Sequence, residues 1–220
     1  SRVALEANLA LALIVSGVNF LTNKKFLLAS ILLGLSVWTY NSARIFVPLL
    51  IVSLFFIYKE EIVKNFKKLR ISFLVLAMFI LPMFWQLANS EGSARYENVK
   101  ILDQGAIAKI IELRNTSQFP TLATRLIYNK YTYFSAEITK NYLSHYSIDY
   151  LFKSGGDNYQ FSVPENGLLY KINFVFLIMG ITVLCFKIKY DKNARVLLAW
   201  FLIAPLASSL TRETPHVLRN

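Results

Sequence analysis

The sequence is poor in the residues that many active sites are built from. Its 220 residues include one cysteine, Cys185, set inside an apolar block. This excludes a disulfide framework and a thiolate metal site. There are two histidines and eight glycines. They form no zinc spacing, no phosphate-cradling glycine loop and no nucleophile elbow. A cofactor or divalent metal is therefore not indicated. No internal repeat, low-complexity tract or signal peptide is visible. Acidic residues are also scarce: 13 Asp and Glu against 24 Lys and Arg give a formal charge of +11. Such a balance can serve nucleic acid. Here the basic residues sit in short loops between apolar blocks, where they set topology, and we expect no nucleic-acid partner.

What is abundant is hydrocarbon. The chain is 55% hydrophobic, against about 45–50% in soluble domains, and the excess is gathered into blocks. Six stand out: Val3–Leu21, Phe26–Thr39, Ile45–Tyr58, Ile71–Leu87, Leu168–Phe186 and Val196–Leu210. Pro82 and Pro205 lie within the fourth and sixth. The second and third are shorter than the roughly 20 residues of a full span. In lipid each is most simply a helix, because a lone segment must satisfy its own backbone groups. The expected fold is an all-α integral membrane protein of about six transmembrane helices, with a largely helical extracytoplasmic loop region. Residues 1–87 would form a four-helix membrane part and 88–167 the loop region. Residues 168–220 would form a two-helix membrane part ending in an outer polar motif.

Charge orients this arrangement. Lys24 and Lys25, then Lys59, Lys64, Lys67, Lys68 and Arg70, then Lys187, Lys189, Lys192 and Arg195 place eleven basic residues in three short loops on one side. The short segments on the other side hold Arg2, Arg44, Arg212 and Arg219. The positive-inside rule puts the lysine-rich loops in the cytoplasm of a cell with a plasma (inner) membrane. Residues 1–6, 40–44, 88–167 and 211–220 then face outward. The long region is too long for a plain loop. Ala106–Arg114 has helical spacing, and Leu122, Leu126, Phe134, Ile138 and Tyr142 could form one face of a helix over Leu122–Phe152. Gly155-Gly156-Asp157 reads as a turn.

Three polar clusters thus share the outer face: Ser1-Arg2 with Glu6, Tyr40 to Arg44, and Thr211-Arg212-Glu213-Thr214-Pro215-His216 with Arg219. Arginine suits a phosphate because its fork donates two hydrogen bonds at once. Each arginine also fits a plainer role, anchoring a helix end to lipid phosphates. His216 could serve as a general acid or base or make a structural hydrogen bond. His145, without comparable neighbours in sequence, reads as interfacial or structural. Asp157 fits a turn cap or an acceptor-binding loop.

Several stretches resemble the bacterial branch of the protein O-mannosyltransferase and aminoarabinose transferase group, polytopic GT-C glycosyltransferases of the family 39 type. They are SRVALEANLAL (1–11), LGLSVWTYNSARIFVPLL (33–50), YNKYTYFSAEITKNYLSHYSIDYLF (128–152), GGDNYQFSVPENGLLY (155–170) and APLASSLTRETPHVLR (204–219). The resemblance implies transfer of a sugar from a polyprenyl-phosphate carrier to a protein, lipid or glycan acceptor outside the cytoplasm. It implies direct displacement at the anomeric carbon, with an acidic residue of the first outer loop activating the acceptor. This chain is expected to be an internal piece that starts downstream of that acid, so no catalytic base is named. The implied donor-phosphate residues are Arg44, Arg212 and Arg219, with His216, Arg2 and Tyr40. Glu6, Glu213 and Asp157 would support the acceptor side. The rival readings are a transporter or flippase of lipid-linked saccharides and a structural membrane subunit. A transporter needs polar groups near the midplane, and the apolar blocks are nearly free of charge.

Overall fold

A computed structural model of the chain describes residues 2–89, 100–156, 162–163, 165–212 and 214–217, without the side chains of Arg2, Val3 and Lys68. All regular structure among them is helical, apart from one isolated antiparallel bridge between Lys100 and Thr211. The chain divides into two compact units. One is Ser1–Ser93 with Leu169–Ala207 and Val217–Asn220; the other is Ala94–Leu168 with Ser208–His216. The polar motif after the last apolar block therefore groups with the long region.

The first unit begins with α1 (Arg2–Thr22), α2 (Phe26–Thr39) and α3 (Ala43–Ile57). A tight turn with Lys24 at φ 61° joins α1 to α2. The short α4 (Lys59–Lys64) leads into α5 (Phe66–Ala88). This last helix starts five residues earlier than the apolar pattern predicts, because a run of Lys and Arg continues a helix as well as Leu does. It runs on through Pro82. Leu33, Val37, Val47 and Leu50 are fully buried at the centre of the unit. Gly34 sets the approach of α2 to α5. A Cβ there would come within 2.3 Å of the Phe79 ring, so only a residue without a side chain lets the two backbones pack this closely.

The remaining helices of this unit are α10 (Asn173–Lys187) and α11 (Lys192–Ile203). Both correct the sequence pattern. The block expected at Leu168–Phe186 becomes helical only from Asn173, after a turn in which the Asn173 N–H donates to the Tyr170 carbonyl at 2.8 Å. The block expected at Val196–Leu210 breaks after Ile203 and restarts as α12 (Leu206–Ser209), since Pro205 has no N–H to donate to the carbonyl four residues before it and so cannot continue the helix ladder.

Two helical stretches, Ala4–Thr22 and Leu69–Ala88, are long and apolar enough to cross a membrane. The helices α2, α3 and α10 are apolar but shorter, at 14, 15 and 15 residues. At about 1.5 Å per residue, each rises roughly 21–23 Å, short of a hydrocarbon core about 30 Å thick. The outer surfaces of the unit are apolar: Met78 and Trp85 of α5 are each 74% exposed, and α10 buries no residue.

The second unit is built from capped helices. α6 (Gln104–Thr116) opens on Asp103, whose carboxylate accepts the Ala106 N–H at 2.8 Å. α7 (Thr121–Ile127) stops at Tyr128. α8 (Lys130–Ser144) opens on a capping box between Asn129 and Thr132. α9 (Ile148–Phe152) is capped by the Ser147 hydroxyl. The single face expected over Leu122–Phe152 is thus split into three helices. Leu122 and Leu126 are exposed and separate from Phe134, Ile138 and Tyr142. The break falls at Asn129 because its side chain binds the N–H groups of Tyr131 and Thr132, at 2.8 and 3.0 Å, and so starts a new helix in place of continuing the old one. Of the expected turn Gly155-Gly156-Asp157, Asp157 lies outside the described residues, but Gly155 has φ 70°, and a Cβ there would lie 2.5 Å from both the Asn166 carbonyl and the Ser162 hydroxyl.

Candidate functional site

In the first unit the predicted arginine sits at the tip of the α2–α3 hairpin. Tyr40 ends α2 in extended conformation, and Asn41-Ser42 turn the chain so that Arg44 falls in the first turn of α3. Arg44 is half-buried. Its Nε donates to the Val37 carbonyl at 3.3 Å, and its guanidinium lies 6.0 Å from the centre of the Trp38 ring. Trp38 is itself fixed, its Nε1 donating to the Phe79 carbonyl at 3.1 Å. Among the described residues, neither Nη of Arg44 has a hydrogen-bond partner and no carboxylate pairs with it. The N–H groups of Ala43, Arg44 and Ile45 donate to the Tyr40, Asn41 and Ser42 carbonyls, so the first turn of α3 adds only its positive dipole end beside this cation. Glu6 is half-buried on α1 and Tyr40 half-buried at the hairpin.

In the second unit the predicted Arg212 is paired. Its Nη1 donates to the Asp103 carboxylate, which already caps α6. The Ala106 N–H first, and Arg212 after it, hold the Asp103 carboxyl below its ordinary value. The segment bearing Arg212 is fastened to α8 at two points. Asn141 Nδ2 donates to the Ser209 and Thr211 carbonyls at 3.3 and 3.2 Å. His145 lies one turn further, 3% exposed, with Nδ1 at 2.8 Å from the Asn141 carbonyl and Nε2 at 3.0 Å from the Ser208 hydroxyl. A carbonyl can only accept, so Nδ1 carries the proton. Burial lowers the His145 pKa and favours the neutral ring, so Nε2 accepts from Ser208. The turn is closed from within: the Thr214 hydroxyl donates to the Ser208 and Thr211 carbonyls at 2.9 and 2.8 Å.

A serine against a histidine invites comparison with a nucleophile and its base. Here Ser208 is fully buried and Nδ1 faces a carbonyl in place of a carboxylate. The pair is a structural pin, in keeping with the plainer role expected of His145. His216 is half-buried beyond the turn. Glu213, Asp157 and Arg219, and the side chain of Arg2, lie outside the described residues. Among the described residues no group of three His, Cys, Asp or Glu could hold a metal ion.

Sequence reasoning missed Asp103, Asn141 and Ser208. Asp103 carried a local signal, an acid just before a helical stretch. Asn141 and Ser208 carried none, because their partners are 68 and 63 residues away in the chain. Compared with family models, with curated proteins and with solved structures, the chain matches none.

Proposed function

We propose that the chain belongs to a membrane glycosyltransferase that moves a sugar from a polyprenyl-phosphate donor to an acceptor outside the cytoplasm, with Arg44 at the donor phosphate. One observation carries the reading. Arg44 is a half-buried cation between two helices too short to clear a bilayer, and both its Nη groups lack a partner among the described residues. A cation at that depth is costly unless an anion or water meets it. If Lys24 and Lys25 mark one membrane surface, a 14-residue helix leaves the hairpin tip roughly 9 Å short of the opposite edge of the hydrocarbon core. Lipid phosphates lie just outside that edge, so local thinning of the bilayer brings one to the guanidinium more readily than a soluble anion reaches it. The reading takes the six apolar helices as spans of a plasma (inner) membrane, with residues 88–167 and the 208–216 turn outside. The short helices then thin the bilayer locally, with flanking side chains reaching out to its surfaces.

Chemically, the acceptor oxygen bonds to the anomeric carbon as the bond from that carbon to the phosphate oxygen breaks. The leaving polyprenyl phosphate gains negative charge, and a fixed guanidinium stabilises that charge without reorganising. The Nε bond to Val37 and the Trp38 ring hold the fork in place beforehand. Arg212, by contrast, must leave or share Asp103 to bind phosphate.

The test is donor binding and turnover in the full-length protein. Arg44→Ala should weaken equilibrium binding of a polyprenyl phosphate and reduce sugar transfer by about 10²-fold or more. Arg70→Ala, at the lysine-rich end, should leave both unchanged. Equal binding and turnover in wild type and Arg44→Ala would remove Arg44 from the donor site. Net movement of the intact lipid-linked sugar across vesicles, without transfer, would favour the flippase reading.

A further inference from the structure

The first unit contains a cavity of about 90 Å³ at the lysine-rich end of α1, α2, α3 and α5, far along those helices from the Arg44 hairpin. Its walls include Leu21, Phe26, Leu54 and Phe73, and its only polar side chains are Ser30, Ser72 and Tyr58. Both serines are nearly buried. Water suits this space poorly, since a buried water needs two to four polar partners and the lining is almost wholly apolar. An apolar group entering the space would gain packing contacts that its lining otherwise forgoes.

The rim is charged. Lys24 and Lys25 stand between Leu21 and Phe26, which both line the cavity. Lys59 follows Tyr58. Lys192 lies 5.5 Å from the Tyr58 ring centre and pairs with Glu61 at 2.7 Å. Glu60 and Asp191 are the other acids of these loops, so eleven basic residues face three acidic ones across the lysine-rich side. An apolar slot under a cationic rim matches a molecule with a hydrocarbon chain and an anionic head.

We propose that this cavity is a binding site for one acyl chain of an anionic phospholipid from the lysine-side leaflet, its phosphate held by Lys24 and Lys25. The site is distinct from the donor site proposed for Arg44, though it rests on the same membrane reading.

The experiment uses the full-length protein in nanodiscs of phosphatidylcholine containing phosphatidylglycerol, with retained lipid counted by native mass spectrometry after detergent exchange. Wild type should keep one phosphatidylglycerol. Ala29→Phe, which fills the cavity, should lower that retention at least about tenfold. Ser30→Leu, a milder filling, should lower it in the same direction and guards against misfolding of the first variant. Lys24→Gln with Lys25→Gln should abolish the preference for phosphatidylglycerol over phosphatidylcholine while chain occupancy persists. Retention unchanged by both filling substitutions would overturn the site. So would a rise in melting temperature in the filled variants with no bound lipid in wild type, the mark of a simple void. Polyprenyl phosphate binding is measured on the same samples: a filled variant that loses phosphatidylglycerol and keeps polyprenyl phosphate separates the two sites. Loss of both together would assign the cavity to the donor's own chain and overturn the acyl-lipid proposal.

Discussion

The two units differ in how their helices are fastened, although hydroxyls bond back to their own helix in both, in the second at Thr116, Thr139 and Ser144. In the first, hydroxyls bond back to their own helix: Ser36 to the Leu33 carbonyl, Thr39 to Leu35, Ser53 to Leu49, Thr182 to Ile178. The apolar helices α2, α3, α5 and α10 have no side-chain cap at their N-termini, and among the longer helices there α11, which opens in the lysine-rich loop, is capped by Asp191. In the second, α6, α8 and α9 are all capped by side chains, and Asn141, His145 and Arg212 reach across dozens of residues. Local back-bonding hides polar groups from hydrocarbon. Capping and long-range pins hold a backbone together where water competes for every bond. If lipid surrounds the apolar helices of the first unit, the contrast in capping is one between two solvents.

The strongest way to break the contrast is to put a charge on each outer surface. Met78 lies mid-way along α5 and is 74% exposed; Leu143 lies on α8 and is 59% exposed. If lipid covers α5, Met78→Lys costs about 2.5–3.5 kcal/mol at the bilayer centre and should sharply reduce the membrane-inserted fraction after alkaline extraction. Leu143→Lys should stay within about 0.5 kcal/mol of wild type. Equal, small effects at both positions would make both surfaces water-facing and remove the basis for a membrane reading of α5.

The next effect belongs to the pin. His145→Ala leaves the Ser208 hydroxyl buried without its partner, at about 1–3 kcal/mol, and should speed hydrogen exchange over residues 208–214 while leaving α2 and α3 protected. Acid should act in the same direction. The folded His145 pKa lies below the ordinary value of about 6.5, so the unfolded segment binds the proton more tightly. The stabilisation is therefore intact above the unfolded value and is lost as pH falls through it toward the folded one. Exchange over 208–214 should rise on acidification below about pH 6.5, and His145→Gln should flatten that dependence. A flat profile in wild type would mean the ring does not govern the turn.

How legible this was in the sequence depends on the range of the cause. The helical character of the apolar blocks follows from composition and from the backbone's need for internal hydrogen bonds, and the start and end of α2 match the pattern residue for residue. The ends of α5, α10 and α11 shifted because hydropathy says little about where Lys-rich helix continues or where Pro205 stops it. The division at Asn129 was local too, but it needed capping geometry weighed above helical periodicity. Of the site, Arg44 at a hairpin tip was readable from one polar break between two apolar runs. Its tether to Trp38 and the absence of a paired carboxylate among the described residues were not, since both depend on how α2, α3 and α5 pack. The Asn141 and His145 contacts join residues too far apart for any periodicity to register.

The smallest effect sharpens the comparison at its most exposed point, the pair of Asp103 and Arg212. Asp103 does two jobs, capping α6 through Ala106 and meeting Arg212. Asp103→Asn keeps an oxygen for the cap and removes the charge, whereas Asp103→Ala removes both. The ion pair is solvent-exposed, so screening leaves little of it in stability. Asp103→Asn should therefore shift the melting temperature less than Asp103→Ala, and its shift should vanish near 1 M salt, where the Debye length is about 3 Å. The cap should survive salt, because a short hydrogen bond to a helix N–H is not a long-range charge effect. If instead Asp103→Asn matched Asp103→Ala at every salt concentration, the charge on Asp103 would be the feature that fixes the start of α6. The Arg212 turn would then be held by electrostatics where the geometry around Asn141 and His145 implies hydrogen bonds.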